Sequence, residues 1–308
     1  MQEEKKRYQL TNKGFYHAGT HIALDHCVSS NTVISIQTHR RILMKKTLIA
    51  AAVVALSFSS AANAALISTI DLFSTSQAKL TDTVVDGNAL FSQVATGGTD
   101  IIGGYRDIGV EVLNQDPFNP GGSASIQVAG GALSFSTESL TGGRGLVRWD
   151  GSTAAMSFSD PTIFGLGASF NPFGTFIELK TIFSDGDFGF ELGAFTSSTQ
   201  WSKVSLIAHE VNPAVLPNGV SSLLPLLGFL DCTNTFSLPG VVVTCGAGGA
   251  VDWGNLGALQ AIIDPTGSKV ALDLTINQVT VVPEPASLAL VGLGLLGVGA
   301  LRRRRSAK

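Results

Sequence analysis

Charge is scarce in this 308-residue chain. Charged residues make up 14% of it, against roughly a quarter in an average soluble protein. Histidine and cysteine are scarcer still, at five and three. Cys27 and four of the histidines (His17, His21, His26 and His39) lie in the first 43 residues, leaving His209, Cys232 and Cys245 for the rest. A single histidine excludes multi-histidine zinc sites and leaves one candidate for a Ser-His-Asp arrangement. No Gly-x-Ser-x-Gly elbow accompanies it, and no Cys-x-x-Cys pair supports redox exchange. Residues 65–283 hold seven basic and nineteen acidic residues, which excludes a basic nucleic-acid-binding surface. No long segment keeps a 3.6-residue apolar period.

The charge is also unevenly placed. The net of -3 divides into about +5 over residues 1–64, -12 over 65–283 and +4 over 284–308. The two basic ends are also the apolar ones. Met44-Lys45-Lys46 precedes a dozen mostly apolar residues, and Ala62-Asn63-Ala64 follows. That order of charged, apolar and small residues describes a secretory signal peptide, with cleavage expected between Ala64 and Ala65. The apolar run is short for a stable membrane span. Residues 1–43 are polar and aperiodic. They read as an over-extended gene start with Met44 as the true one, or as a long leader.

The other end reads Pro283-Glu284-Pro285, then Ala286 to Leu301 without a charge, then Arg302-Arg303-Arg304-Arg305. Sixteen helical residues make about 24 Å, slightly short of a roughly 30 Å hydrocarbon core. The arginines would hold this single transmembrane helix with its C-terminus in the cytoplasm, placing the body outside. The three parts in this order resemble the PEP-CTERM sorting signal, a segment also called the ice-binding protein C-terminal domain. The resemblance implies processing by an exosortase, an integral membrane cysteine peptidase-like enzyme of Gram-negative bacteria. It assigns recognition to Pro283, Glu284 and Pro285 and cytoplasmic anchoring to Arg302, Arg303, Arg304 and Arg305. It also links the chain to exopolysaccharide and biofilm matrix. The expected organisation is a leader (1–43), a signal peptide (44–64), a secreted body (65–282) and a sorting tail (283–305).

The body is rich in Gly, Ser, Thr, Val and Phe. Its short alternating runs between turn residues indicate an all-β sandwich. In Asp107–Leu113, Ile108, Val110 and Val112 share one face; in Lys203–Ala208, Val204, Leu206 and Ala208 do. Three turns read as hairpins: Gly130-Gly131, Asp185-Gly186 and Asp264-Pro265-Thr266-Gly267. Ser221–Leu230 has helical composition interrupted by Pro225. The stretches Gly103–Asp107 and Gly145–Gly151 resemble a segment common in PEP-CTERM bodies. Trp201–Leu206, Val251–Leu259 and Ala271–Ile276 are similar to the closing strands of galactose-binding-like jelly rolls. The expected body is therefore a jelly-roll-like β-sandwich, a fold that does not by itself fix a function.

Cys232 and Cys245, in an exported chain, are expected to form one disulfide across a surface hairpin. A loop of about 14 residues would gain about 3 kcal/mol in the chain-entropy model. Trp149, Trp201, Trp253 and Tyr105 are the candidates for stacking on a sugar ring; core packing is the alternative for each. Asp150 and Asp252, beside two of them, are candidate hydroxyl partners. Asp185, Asp187 and Glu191 are candidate calcium ligands, though they do not complete an EF-hand loop. With Glu178 they are also the candidates for the paired carboxylates of a glycosidase. His209 reads as a surface residue.

The expected function is that of a non-enzymatic cell-surface or extracellular-matrix protein. Its expected partners are signal peptidase, an exosortase, the inner membrane transiently and extracellular polysaccharide. A carbohydrate-binding module using exposed tryptophans is the alternative, and a secreted hydrolase the second. No cofactor is expected apart from calcium at the acids above.

Overall fold

A computed structural model describes residues 68–283, apart from 97–98, 154–155 and 236–239. Within this range the chain forms fourteen strands: β1 (Ser68–Asp71), β2 (Gln77–Asp82), β3 (Leu90–Ala95), β4 (Tyr105–Gln115), β5 (Ala124–Ala129), β6 (Ala132–Thr137), β7 (Thr141–Trp149), β8 (Thr175–Ser184), β9 (Phe188–Phe195), β10 (Trp201–Ala208), β11 (Val220–Pro225), β12 (Val242–Cys245), β13 (Ala258–Ile263) and β14 (Asp273–Pro283). They build two antiparallel sheets. One has the order β11-β8-β14-β6-β5-β2, with β1 also paired to β14; the other has the order β12-β10-β9-β13-β7-β4-β3. The body is an all-β sandwich, consistent with a jelly roll. The signal peptide at 44–64, its cleavage residues Ala62, Ala64 and Ala65, and the tail from Glu284 onward lie outside the described residues.

Alternation places the core as expected. Ile108, Val110 and Val112 of β4 and Phe188, Phe190 and Leu192 of β9 point inward, against Ile177 of β8 and Leu274, Ile276, Val279 and Val281 of β14. Gly130-Gly131 closes a hairpin between β5 and β6. The other two turns do not close hairpins. Asp185-Gly186 carries the chain from β8 in the first sheet to β9 in the second, and Asp264–Gly267 carries it back from β13 to β14. Side chain–backbone bonds fix both crossings. The Asp185 carboxylate accepts from Asp273 N–H at 2.8 Å. The Asp264 carboxylate accepts from Ser268 N–H at 3.2 Å and Lys269 N–H at 2.8 Å. The segment from 220 to 230 is strand β11 followed by a 3₁₀ turn, Leu226–Leu230, which begins just after Pro225.

A buried ion pair joins the sheets. Asp71, at the end of β1, receives Arg106 Nη1 at 3.0 Å, Trp149 Nε1 at 2.8 Å and Phe73 N–H at 2.8 Å. Arg106 is on β4 and Trp149 on β7, both in the opposite sheet. The remaining guanidinium donors reach Gln77 Oε1 at 3.0 Å and the Thr75 carbonyl. Both charged side chains have no solvent exposure. Burial pushes the Asp71 carboxyl up, against the opposing pull of Arg106, Trp149 and Phe73.

Removing one partner of such a pair strands the other charge in a dry interior, a cost of about 3–5 kcal/mol. Arg106→Met should therefore lower urea stability by about that amount. The double variant Asp71→Leu/Arg106→Met should be less destabilised than Arg106→Met alone. Equal losses in the two would show that the pair does not act as a coupled unit.

Candidate functional site

An organised polar region lies on the outer face of the second sheet. Strand register aligns Gln93 (β3), Asp107 (β4), Arg148 (β7), Gln260 (β13), Gly193 (β9) and Lys203 (β10) in one row perpendicular to the strands. The connection from β7 to β8 lies over this row. Arg148 Nη2 donates to the carbonyls of Ser157 and Ser159, at 2.7 and 2.5 Å. It also shares Gln260 Oε1 with Arg148 Nε, at 2.6 and 2.9 Å. Lys203 Nζ lies 2.5 Å from the Asp160 carboxylate. Gln93 Nε2 bridges the Ser152 carbonyl and the Asp107 carboxylate, both at 2.7 Å. Phe158 of the connection lies 4.2 Å beneath the Arg144 guanidinium and packs against Phe91.

The connection leaves β7 through Gly151, at φ +69°. A Cβ there would sit 2.5 Å from the Gly165 carbonyl oxygen, so glycine is required by both conformation and space. The covering explains the fully buried run of β13, which shows no exposed face.

Burial dominates the electrostatics of this row. It pushes the Asp107 carboxyl up from 3.8 to about 6; Asp150 adds to the effect, while Gln93 and Arg148 oppose it. It also lowers the pKa of Arg148, against the nearby carboxylates of Asp150, Asp107 and Asp160. The arrangement holds a loop against a sheet.

The stacking candidates separate into two classes. Trp149 and Trp253 are buried and unavailable to a ligand, which corrects the sequence expectation. Each indole N–H is satisfied internally: Trp149 Nε1 by Asp71 and Trp253 Nε1 by the Leu226 carbonyl at 3.0 Å. Trp253 further packs edge-on against Phe229 and Phe170. Trp201 and Tyr105 are half-buried. Trp201 opens β10 on the outer face, beside Phe195, with Lys203 Nζ 5.2 Å from its ring centroid. Gly246 keeps room for the indole, since a Cβ there would stand 2.7 Å from Nε1.

The acids beside the buried tryptophans bond to backbone. Asp150 accepts from Ser152 N–H, and Asp252 caps the 3₁₀ turn Trp253–Asn255 through Gly254 N–H.

The calcium candidates do not converge. Asp185 holds Asp273 N–H, Asp187 holds Glu210 N–H, and Glu191 accepts from Ser205 Oγ and faces Lys203. Among the described residues no group of three or more His, Cys, Asp or Glu side chains is placed to hold a metal ion. Glu178 belongs to the first sheet and Glu191 to the second, each on the outward side of its strand, so they do not form a pair across a cleft. His209 is exposed, 3.3 Å from Asp187. The Asp187 carboxyl is held below its usual range by Glu210 N–H first and His209 second. Cys232 and Cys245 are joined as a disulfide, with a Cα separation of 5.5 Å.

A cavity of about 590 Å³ lies between the edge strands of the two sheets, beside this disulfide segment. Val204, Val243, Leu224, Pro225, Leu227 and Leu230 contribute to its lining, and among the described residues Asp231 is its one charged lining residue. A second cavity of about 170 Å³ shares Leu224 and extends along β8, β9, β10 and β11. Neither was legible in the sequence, because it depends on how far apart two edge strands stand.

Asp107 gives a testable pH dependence. Its carboxyl holds a proton more tightly in the folded protein than in the unfolded chain, so the folded state binds more protons between about pH 4 and 6. Rising pH across that window therefore lowers stability, and the loss is complete above it. Asp107→Asn keeps an oxygen to accept from Gln93 and removes the titration. Urea midpoints of the parent should fall relative to this variant from about pH 4 to 6 and run parallel above. Parallel midpoints throughout would show that Asp107 does not titrate abnormally.

The family described as the PEP-CTERM protein-sorting motif matches residues 281–305. No curated protein matches the chain. The match begins within β14, at Val281, Val282 and Pro283, so the sorting signal starts inside the folded body. The motif marks the chain as an exported protein addressed to an exosortase and implies a cell-surface or extracellular location in a Gram-negative bacterium.

Proposed function

We propose that the body serves after export as a non-enzymatic protein of the cell surface or extracellular matrix, in association with exopolysaccharide. The observation that carries this reading is the sorting motif running directly out of the last strand of a β-sandwich. The attachments of the buried polar groups also support it. Asp71 holds two sheets together, and Arg148 and Gln93 hold a loop to a sheet. Each of these groups is engaged in maintaining shape.

A second reading, carbohydrate binding, is favoured by the Trp201 ring on the outer face next to Lys203. The body carries a net charge of about -12 over residues 65–283, which repels an acidic polysaccharide. Neutral glycans, or a contact bridged by calcium, suit it better. Tyr105 is the other half-buried aromatic available to this reading.

Intact-mass measurement of the secreted protein tests the first reading. The product should begin near Ala65 and lack Arg302 to Arg305. Replacing Pro283, Glu284 and Pro285 with alanine should leave the precursor in the membrane fraction. A secreted product that retains the four arginines would defeat it. For the second reading, Trp201→Ala should lower retention on a neutral glycan column by about tenfold, the loss expected for one stacking aromatic. Unchanged retention would remove Trp201 from any glycan site.

A further inference from the structure

The larger cavity lies close to the place where the chain leaves the body. Pro225, in its lining, is in register with Phe176 of β8, and Phe176 is in register with Val282 of β14. Two strand spacings, about 10 Å, therefore separate the cavity wall from the exit of the tail. Only Glu284 and Pro285 stand between Pro283 and the uncharged run 286–301. The three steps from Pro283 to Ala286 span at most about 11 Å. Insertion of the uncharged run into the bilayer would therefore hold this end of the sandwich at the membrane surface before processing.

The same end exposes several apolar side chains. Phe173, just before β8, is 71% exposed, and Leu227 and Leu230 of the 3₁₀ turn are 42% and 38% exposed. The cavity beneath that turn is lined by aliphatic side chains from both sheets. None of the seven basic residues of the body lines it. Among the described residues the lining offers no cation to an anionic headgroup. A saturated or unsaturated hydrocarbon chain would find a surface of its own kind.

We propose that this cavity is a lipid site, which takes one acyl chain of a membrane lipid with an uncharged or zwitterionic headgroup while the tail holds the body at the bilayer. The proposal takes from the functional reading only the insertion of the tail. It does not depend on any contact with polysaccharide.

The secreted form tests it directly, because it carries the cavity without the tail. N-Phenyl-1-naphthylamine, a neutral apolar fluorophore, should bind with a blue-shifted and enhanced emission. Monoolein, an acyl chain on an uncharged headgroup, should displace it. Leu227→Asp and Leu230→Asp place a carboxylate in the lining at partly exposed positions, where the fold tolerates the change. Each should weaken monoolein binding by about tenfold or more, the loss expected for one aliphatic contact, with an unchanged circular dichroism spectrum and melting temperature.

Three results would overturn the proposal: no binding of the fluorophore by the parent, no displacement by monoolein, or unchanged affinity in both variants. Sedimentation as a dimer that excludes the fluorophore would assign the surface to a second copy and would likewise overturn it. Failure of tail insertion would instead show as a soluble precursor in cell fractionation, so the two failures are distinguishable.

Discussion

One carboxylate determines how the two sheets face each other. Asp71 is the last residue of β1 in the first sheet, and its two strongest partners, Arg106 and Trp149, come from β4 and β7 of the second. An isolated charge at zero exposure is untenable in a low-dielectric interior. Each side chain therefore constrains the others: the guanidinium needs the carboxylate, and the carboxylate needs the guanidinium and the indole N–H. A sliding of one sheet over the other would break these directional bonds, whereas the aliphatic contacts around them would tolerate a small shift. The interaction specifies a packing arrangement more than it adds net stability, since a well-packed apolar replacement can be equally stable.

The same two strands organise the outer face by alternation. Arg106 and Asp107 are neighbours in sequence and point to opposite sides of β4, as Arg148 and Trp149 do on β7. The inward members meet at Asp71. The outward members, Asp107 and Arg148, are opposite each other in register and help to clamp the connection that covers the sheet. One pair of strands thus fixes both the sandwich and its cover. The cover in turn buries Gln260 and Ile262 on the outward side of β13, where an uncovered antiparallel sheet would present polar groups to water.

Much of the fold is legible from periodicity. The alternation of β4 and β10 and the Gly130-Gly131 hairpin follow from local chemistry that the finished structure keeps. Asp185-Gly186 and Asp264-Pro265-Thr266-Gly267 have equally good turn chemistry, yet each takes the chain across to the other sheet. A turn signal reports that the chain reverses; it carries no information on whether the next strand pairs with the last one or packs over it. The tryptophans illustrate a similar limit. Trp149 and Trp253 each stand next to an aspartate in sequence, but the partners of their indole N–H groups, Asp71 and Leu226, are 78 and 27 residues away in the chain. The role of Asp71 has no local signature, because everything it touches except Phe73 arrives from distant segments. The edge cavity is a property of spacing between strands, and no residue pattern encodes it.

The placement of β14 links this architecture to sorting. It lies within the first sheet, between β8 and β6, and also pairs with β1, so the first and last strands of the described body meet. A sheet whose interior strand is supplied last completes its pairing only when that strand is present. The sorting motif begins in the same strand, at Val281. The end of β14 is consequently both a structural element and the start of the address, and the body cannot be separated from its tail by a long flexible linker. Pro283, in register with Thr175, has no N–H to extend the ladder. The chain therefore passes from sheet to sorting tail over very few residues, so a tail received by the membrane would carry this end of the sandwich, with its apolar turn and cavity, to the same surface.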